Sequence, residues 1–322
     1  MVNAPPLRVV FFGTPEFAVP TLEALIHSSH PVVGVVTRAD RPRGRGQRTT
    51  ATPVKARAAT AGIPVLQPDR MNDLAFLEAL SALRADLGVV AAYGKILTDA
   101  VLATPRLGLI NVHASLLPRY RGAAPVHRAV IHGDLETGVT IMRVVKALDA
   151  GPMLAAVRRL IGPDETTEEV ERDLAQLGAT LLVSIVDALA AGPVVEEPQD
   201  ESRATYAHRI LREDGKVDWT ADAQAVHNLI RGLHPWPHAS TYHRGQRLIL
   251  WRSAVDPGPR DAAPRQSPGT IAEASGDRLR ITTGDGVLAI TEIQVEGRRP
   301  MTTREFLAGT RLTPGDVLTS AP

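Results

Sequence analysis

The sequence predicts an α/β fold with a Rossmann-like, doubly wound and mostly parallel sheet, followed by a C-terminal OB-like β-barrel domain. Three observations lead to this prediction. Short apolar strands alternate with helical patterns in the first half of the chain. A stretch rich in proline and acidic residues then interrupts the pattern, and short strands separated by glycine turns follow it. The 322 residues are enough for two separate cores.

Four apolar runs bounded by glycine or proline are typical of buried strands in a parallel sheet. They are Leu7–Phe12, Val32–Thr37, Leu87–Ala91 and Leu109–His113. Helical patterns are found at Pro15–His27, Pro53–Ala61 and Leu74–Arg84. Thr52 is a suitable N-cap because Pro53 belongs in a first helical turn. This alternation predicts a parallel sheet covered by helices on both faces.

The boundary between the domains is predicted from composition. A long amphipathic helix, Thr166–Ala190, closes the first domain, residues 1–190. A linker, residues 191–206, precedes the second domain, residues 207–322. That domain begins with a helical pattern and continues as five short strands. These elements are Ala221–Leu233, Ser240–His243, Arg247–Ser253, Gly269–Ala274, Leu279–Thr282 and Val287–Val295.

Composition narrows the possible classes of protein. There are no cysteines, so disulfides, thiolate metal sites and a cysteine nucleophile are absent. The apolar run near the N-terminus is too short for a signal sequence or a membrane span, which favours a cytoplasmic protein without membrane contact. The formal net charge is only +1. However, residues 38–57 hold seven Lys or Arg and one acid, Asp40, which is typical of a solvated loop or of a loop that contacts nucleic acid.

Several common catalytic schemes fit poorly. The turn at Gly13 and Thr14 has one glycine where a dinucleotide fold needs three, so an NAD-dependent dehydrogenase is disfavoured. This turn suits either a single phosphate or ribose at a helix N-terminus or a purely structural role. His127 and His132 are five residues apart, which does not place two metal ligands on one helix face, and no metal is expected. Ser115 lacks the flanking glycines of a hydrolase nucleophile.

The most informative run ends the fourth predicted strand. Asn111 and His113 alternate with apolar residues, so a period of two places them on one face of the strand. The carboxyl end of a parallel strand opens into the crevice where α/β domains bind ligands. An amide and an imidazole together at this position favour a functional site over a structural histidine.

A second element supplies a carboxylate. Asp149 follows a strand in a Leu-Asp-Ala-Gly turn, where aspartate is also an ordinary turn residue. As a partner of His113, Asp149 would orient the imidazole and favour its charged form. The sequence leaves open whether His113 or Asp149 acts as the base.

The chain resembles the folate-dependent formyltransferases, and within them the group that acts on methionyl-tRNA. The segments that carry the resemblance are residues 111–122 (Asn-Val-His-Ala-Ser-Leu-Leu-Pro-Arg-Tyr-Arg-Gly), 137–142 (Thr-Gly-Val-Thr-Ile-Met) and 148–151 (Leu-Asp-Ala-Gly). Shorter matches are residues 12–18, 40–46, 91–97 and 234–237. The likeness spans nearly the whole chain and implies a formyltransferase fold.

The resemblance also implies roles for residues. It assigns Asn111, His113 and Asp149 as the catalytic set. It implies a folate pocket for 10-formyltetrahydrofolate, lined by Tyr93, Gly94, Ile96, Leu97, Ser115, Leu116, Leu117, Pro118, Val145 and Leu148. It implies that the partner is methionyl initiator tRNA, contacted by Arg41, Arg43, Arg45, Arg48, Gly13 and Thr14. A monomer is expected.

Other functions remain open at this point. A formyltransferase acting on an amino-sugar nucleotide or a glycinamide ribonucleotide would use the same catalytic set. The second domain argues against the glycinamide enzymes, and the Arg-Gly loop favours tRNA over sugars. A non-catalytic RNA-binding protein would not need Asn111, His113 and Asp149. Hydrolysis of formyl-folate without an acceptor is a further possibility.

The arginine-rich loop yields a prediction. Arg45→Ala should lower kcat/KM for charged tRNA at least about tenfold and reduce the salt dependence of tRNA binding by about one unit of slope, because one phosphate contact is lost. Steady-state kinetics at several salt concentrations measure both, with Arg57→Ala as the control from the same basic cluster. An equal loss of folate affinity would contradict a role in tRNA binding.

Overall fold

The computed structural model describes residues 5–43, 48–256 and 266–321. Its contacts divide the chain into two compact units. The first comprises residues 1–125, 136–159 and 171–207, and the second comprises residues 126–135, 160–170 and 208–322. The predicted linker residues 191–206 therefore fall within the first unit.

The first unit contains a central sheet and two small ribbons. Its strands are β1 (Val9–Gly13), β2 (Val32–Val36), β3 (Arg41–Arg43), β4 (Arg48–Thr50), β5 (Val65–Leu66), β6 (Leu87–Ala91), β7 (Leu109–His113), β8 (Arg121–Gly122), β9 (Glu136–Arg143), β10 (Met153–Leu160) and β11 (Tyr206–Ala207). Within the described residues the central sheet has seven strands in the order β10-β9-β7-β6-β1-β2-β5. Strands β5, β2, β1, β6 and β7 pair in parallel, and β9 pairs antiparallel with β7. The predicted Rossmann-like, mostly parallel sheet is confirmed.

The central strands form because their residues are apolar on both faces. Every residue of β1 is buried, and Phe11 and Phe12 have no exposed surface. Such strands need helices on both sides to cover them. Strands β6 and β7 have the predicted bounds, whereas β1 begins two residues after the predicted Leu7.

Helices connect these strands. The helices of the chain up to residue 191 are α1 (Val19–Ile26), α2 (Pro53–Thr60), α3 (Leu74–Ala82), α4 (Asp99–Leu102), α5 (Pro125–His132) and α6 (Thr167–Ala191). The Thr52 hydroxyl accepts the amide hydrogen of Lys55 at 3.1 Å, as the predicted N-cap requires. Helix α6 is long and apolar enough, by length and composition, to cross a membrane. However, Leu174, Leu182 and Val186 on it are completely buried, as in a core helix of a globular domain.

The second unit is built on an antiparallel sheet. Its elements are α7 (Ala223–Gly232), β12 (Ala239–His243), β13 (Gln246–Val255), β14 (Ile271–Ser275), β15 (Arg278–Thr282), β16 (Val287–Val295), β17 (Met301–Thr302) and α8 (Thr303–Gly309). In the described ranges the strand order is β12-β13-β16-β15-β14, with β17 beside β16. Buried residues from sheet and helices, including Trp219, Leu250 and Phe306, form one core.

The C-terminal segment bridges the two edges of this sheet. Thr319 exchanges backbone hydrogen bonds with Tyr242 of β12, and Leu318 donates to the carbonyl oxygen of Gly269 at 2.8 Å, just before β14. Because one segment pairs with both edge strands, the sheet closes on itself and leaves neither edge fully open. This closure is the OB-like feature that turn spacing predicted.

Candidate active site

The regular pairing of β7 places two polar side chains at its carboxyl end. Asn111 lies opposite Val90 of β6 and Met142 of β9, and His113 lies opposite Thr140. No register shift interrupts either ladder, so Asn111 and His113 share a face. Asn111 is half-buried, and its amide contacts no hydrogen-bonding partner in the part of the chain that the structure describes. This amide is therefore available to a bound molecule.

The His113 ring is held by one backbone carbonyl. Its Nε2 lies 2.9 Å from the carbonyl oxygen of Tyr120, and only 6% of the side chain is exposed. A carbonyl oxygen can only accept, so Nε2 carries a hydrogen whenever this bond exists. The variable position is therefore Nδ1. This atom lies 3.7 Å from Oδ2 of Asp149, too far for a hydrogen bond but close enough for an ion pair with a charged ring.

The loop that carries Asp149 follows an unexpected path. Because β9 runs antiparallel to β7, the loop after β9 begins beside the amino end of β7, where the Val144 amide donates to the Leu109 carbonyl at 2.9 Å. The loop then returns along the sheet until Asp149 reaches His113 at the other end of β7. The Asp149 carboxylate is fixed there by the amide of Gly122, which donates to Oδ2 at 2.8 Å.

Three consecutive residues, Tyr120, Arg121 and Gly122, support both groups. The carbonyl of Tyr120 holds His113, and the amide of Gly122 holds Asp149. The short strand β8 pairs with β11, and a Cβ on Gly122 would lie 2.9 Å from the Ala207 carbonyl oxygen. Gly122 also has φ +115°, a conformation that favours glycine. Tyr120 and Gly122 of the motif therefore act through their backbone groups, a role that the sequence pattern did not predict.

Left-handed backbone conformations mark the loops around this site. Ala92 after β6 (φ +45°), Tyr120 after β7 (φ +60°) and Asp149 after β9 (φ +47°) are all non-glycine residues. Each such residue costs on the order of 1–2 kcal/mol and persists only where surrounding contacts enforce it. Their concentration in these three loops is typical of a functional site.

The residues expected to bind folate fall into two groups. Tyr93, Ser115, Leu117 and Pro118 are buried, whereas Gly94, Ile96, Leu97, Leu116, Val145 and Leu148 are accessible or partly so. Ile96 is 87% exposed and Leu148 is 61% exposed, so both apolar side chains are accessible to a ligand. Leu97, next to Ile96, and Val144, next to Val145, pack on the same core cluster, so the two segments flank one apolar region.

The Tyr93 side chain belongs to the core rather than to the accessible surface. Its ring packs edge-on against Phe12 with centroids 5.7 Å apart, and its hydroxyl donates to Sδ of Met71 at 3.3 Å. Burial raises the pKa of Tyr93 to about 12, so the hydroxyl stays neutral. A ligand beside this loop would meet its backbone and the exposed Gly94 and Ile96.

The residues expected to contact tRNA lie on a hairpin and a turn. Backbone pairing joins Arg41 to Thr50 and Arg43 to Arg48. Arg45 lies outside the described residues, as do the side chains of Arg41, Arg43 and Arg48. At the other predicted contact, Gly13 is buried at the end of β1, and the Thr14 hydroxyl donates to the Tyr93 carbonyl at 3.0 Å.

The base of this hairpin is pinned by charged and polar groups. Lys55 Nζ lies 2.5 Å from Oδ2 of Asp40, and the Gln67 amide donates to Oδ1 at 2.8 Å. The hydrogen bond from Lys55, supported by that from Gln67, holds the pKa of Asp40 below its usual range. In the described ranges no group of three or more acidic or histidine side chains is arranged to hold a metal ion.

Comparison with known proteins identifies the family. Residues 7–186 match the family described as formyl transferase, and residues 209–311 match the formyl transferase C-terminal domain. The chain is 46% identical over 313 residues to a protein of Heliobacterium modesticaldum called methionyl-tRNA formyltransferase, covering 96% of this chain and 99% of that one. The chain belongs to the family of methionyl-tRNA formyltransferases. A relative of the same name from Methylococcus capsulatus is 47% identical over 95% of this chain and 99% of its own length.

Solved structures of other proteins share the fold. The sugar 3N-formyl transferase WlaRD has a TM-score of 0.66 at 15% identity, covering 92% of this formyltransferase and 100% of that chain. HypX from Aquifex aeolicus, solved in complex with tetrahydrofolic acid, has a TM-score of 0.65 at 17% identity and matches 96% of this chain. The match covers 49% of HypX.

Gly151 provides a test of the Asp149 loop. A Cβ at this position would overlap the carbonyl oxygen of Arg143, so Gly151→Ala must displace the turn. We expect kcat for formyl transfer to fall at least about tenfold, since small misplacements of a reacting group are costly. Gly309→Ala is the matched control, because its Cβ meets no atom within 4 Å and its φ lies outside the left-handed region. Unchanged kcat in Gly151→Ala would show that catalysis tolerates a displaced turn.

Proposed function

We propose that this formyltransferase transfers the formyl group of 10-formyltetrahydrofolate to the α-amine of methionine on initiator tRNA. The observation that carries the proposal is the arrangement at the end of β7, where Nδ1 of His113 faces the Asp149 carboxylate at 3.7 Å. The Asn111 amide, which has no hydrogen-bonding partner among the described residues, lies on the same face of the strand. An amide donor, an imidazole and a carboxylate are the groups needed to stabilise an oxyanion and to remove a proton from an amine.

The mechanism follows from the charges that form during transfer. The neutral amine attacks the formyl carbon, and the new C–N bond creates a tetrahedral intermediate with negative charge on oxygen. Asn111 donates an amide hydrogen to this oxygen. His113 donates from Nδ1 when the ring is protonated, because Nε2 is occupied by the Tyr120 carbonyl. The Asp149 carboxylate lies 3.7 Å from Nδ1 and pairs with the ring in that state.

The remaining steps move protons and break the old bond. The amine loses a proton to Asp149 while His113 is protonated, or to Nδ1 of His113 if the ring begins neutral, directly or through a water molecule. The tetrahedral intermediate then collapses: its C–O double bond re-forms as the bond from the formyl carbon to N10 of the folate breaks, and the proton taken from the amine passes to N10. Asp149 retains its position during these transfers because the amide of Gly122 donates to Oδ2 at 2.8 Å.

Folate binding is proposed for the apolar region beside this site. The exposed side chains of Ile96, Val145 and Leu148 offer an apolar surface to a pterin ring, and Gly94 permits close approach. Leu97 and Leu116 are also partly accessible. The buried residues of the predicted set support the loops that carry the accessible ones; they are Tyr93, Ser115, Leu117 and Pro118. Ser115 is used in this way because its hydroxyl donates to the Arg119 carbonyl at 2.6 Å.

Binding of tRNA is proposed for the arginine hairpin and for the turn at Gly13 and Thr14. Arginine side chains on a hairpin suit the phosphates of an acceptor stem. These residues are Arg41, Arg43, Arg45 and Arg48. We further propose that the catalytic domain comprises residues 1–190 together with residues 191–206, the segment predicted as a linker, and that residues 207–322 form a tRNA-binding domain. The protein is proposed to work as a cytoplasmic monomer.

The substrate assignment is tested directly by reconstitution. Purified protein is incubated with 10-formyltetrahydrofolate and methionyl initiator tRNA, and formylmethionyl-tRNA is quantified. Uncharged tRNA and dTDP-linked amino sugars serve as alternative acceptors. Formylation of methionyl-tRNA alone is the expected result. Preferential formylation of an amino sugar would show that the acceptor is an amino sugar and not methionyl-tRNA.

The role of His113 gives a quantitative prediction. His113→Ala should reduce kcat at least about a hundredfold while leaving the fold intact, because one oxyanion donor disappears. Single-turnover kinetics measure the chemical step, and circular dichroism checks the fold. His27→Ala, which removes an exposed imidazole, is the control. A His113→Ala enzyme with near-normal turnover would remove this residue from the mechanism.

A further inference from the structure

Arg121 is a buried cation that is satisfied by one distant segment. Its side chain is 2% exposed, and its guanidinium forms a two-pronged ion pair with Glu201 at 2.7 and 2.9 Å. Nε and Nη2 also donate to Oε1 of Gln199 at 3.0 and 2.8 Å. The Glu201 carboxylate raises the pKa of Arg121. A buried cation left without partners is strongly destabilising, so these contacts fix residues 199–201 on the catalytic unit.

Gln199 uses all the hydrogen-bonding capacity of its amide. Its oxygen accepts twice from Arg121, and its nitrogen donates to the carbonyl oxygens of Asp149 and Gly151, each at 2.8 Å. The orientation of the amide is unambiguous, because a guanidinium offers only donors and backbone carbonyls only accept. Gln199 therefore clamps the turn through the carbonyl of Asp149 itself and that of Gly151, two residues further on.

The clamp acts on a turn that needs external support. Asp149 has φ +47°, a left-handed conformation that is costly for a residue with a Cβ. Its carboxylate holds the amide of Gly122 and faces His113. Gln199 contacts the backbone carbonyl of Asp149 rather than its carboxylate, so it determines where the carboxylate lies without touching substrate.

The same segment also supports the other side of the site. The Arg121 amide donates to the Thr205 carbonyl at 2.8 Å, and the Tyr120 amide donates to the Thr205 hydroxyl at 2.9 Å. Residues 199–207 thus fix the strand that holds His113 as well as the turn that holds Asp149.

We propose that Gln199, anchored by Arg121, is a positioning residue that sets the relation between Asp149 and His113. Composition had marked this segment as a linker, and the contacts make it part of the catalytic unit. The inference rests on the proposed role of Asp149 in formyl transfer.

The decisive variant is Gln199→Glu. A glutamate keeps the oxygen that accepts from Arg121, so the anchor and the fold persist, but it cannot donate to the carbonyls of Asp149 and Gly151. We expect kcat to fall at least about tenfold, with KM values for folate and tRNA within about threefold of wild type. Gln176→Glu adds the same charge on the exposed face of α6 and should leave kcat within about twofold of wild type.

A double-mutant cycle separates positioning from general damage. In an Asp149→Ala background, Gln199→Glu should lower kcat less than about twofold further, because the group it positions is already gone. If the double variant loses kcat by the product of the two single-variant factors, the proposal is overturned. A Gln199→Glu enzyme with near-normal kcat would also overturn it. An equal loss in Gln176→Glu would also overturn it.

The contacts of Gln199 can be tested even if the proposed function is wrong. If the wild-type protein does not formylate methionyl-tRNA, hydrogen exchange at the Gly122 amide still tests the clamp, because that amide is bonded to Asp149. Faster exchange in Gln199→Glu than in Gln176→Glu supports the clamp, and equal exchange overturns it.

Discussion

The hydrogen bond from Nε2 of His113 to the carbonyl of Tyr120 is the constraint on which the site depends. It commits one ring nitrogen to the backbone and leaves Nδ1 to face Asp149 and any bound carbonyl. Tyr120 itself adopts φ +60°, so the loop after β7 stores backbone strain. That strain is balanced by contacts of the neighbouring Arg121 and Gly122 with residues far along the chain.

This arrangement explains why the site contains so many backbone contacts. An imidazole and a carboxylate that must approach a single reacting carbon need to be held within a fraction of an ångström. Side chains alone would leave several rotamers open. Here a carbonyl orients the imidazole and an amide orients the carboxylate. The sheet supplies a rigid base, since β7 is hydrogen-bonded on both sides.

Much of the fold could be predicted from the sequence because local patterns determine it. The apolar runs that became β6 and β7 have no other way to bury both faces, and Asn111 and His113 share a face through strand period alone. The pairing of Asp149 with His113 was predicted from chemistry and from the family resemblance rather than from a local pattern, because it depends on β9 running antiparallel to β7 and on a loop that returns along the sheet. Neither property leaves a local signal in the residues.

The segment predicted as a linker shows a second limit of prediction from sequence. Residues 191–206 are rich in proline and acid, which composition alone cannot distinguish from a spacer. The structure shows that the segment is not a spacer, because Glu201 within it forms a two-pronged ion pair with the buried Arg121 of the catalytic unit. In the sequence, Arg121 stands in a turn-like Tyr-Arg-Gly run, and nothing near it indicates a partner eighty residues away.

The central claim is that an amide and one specific imidazole nitrogen converge on a single carbonyl oxygen. A high-resolution crystal structure with 5-formyltetrahydrofolate, a stable analogue of the formyl donor, measures this most directly. The account predicts that Nδ2 of Asn111 and Nδ1 of His113 both lie about 2.7–3.1 Å from the formyl oxygen, with Nε2 still bonded to Tyr120. A formyl oxygen that approaches Nε2, or that lies away from both side chains, would contradict it.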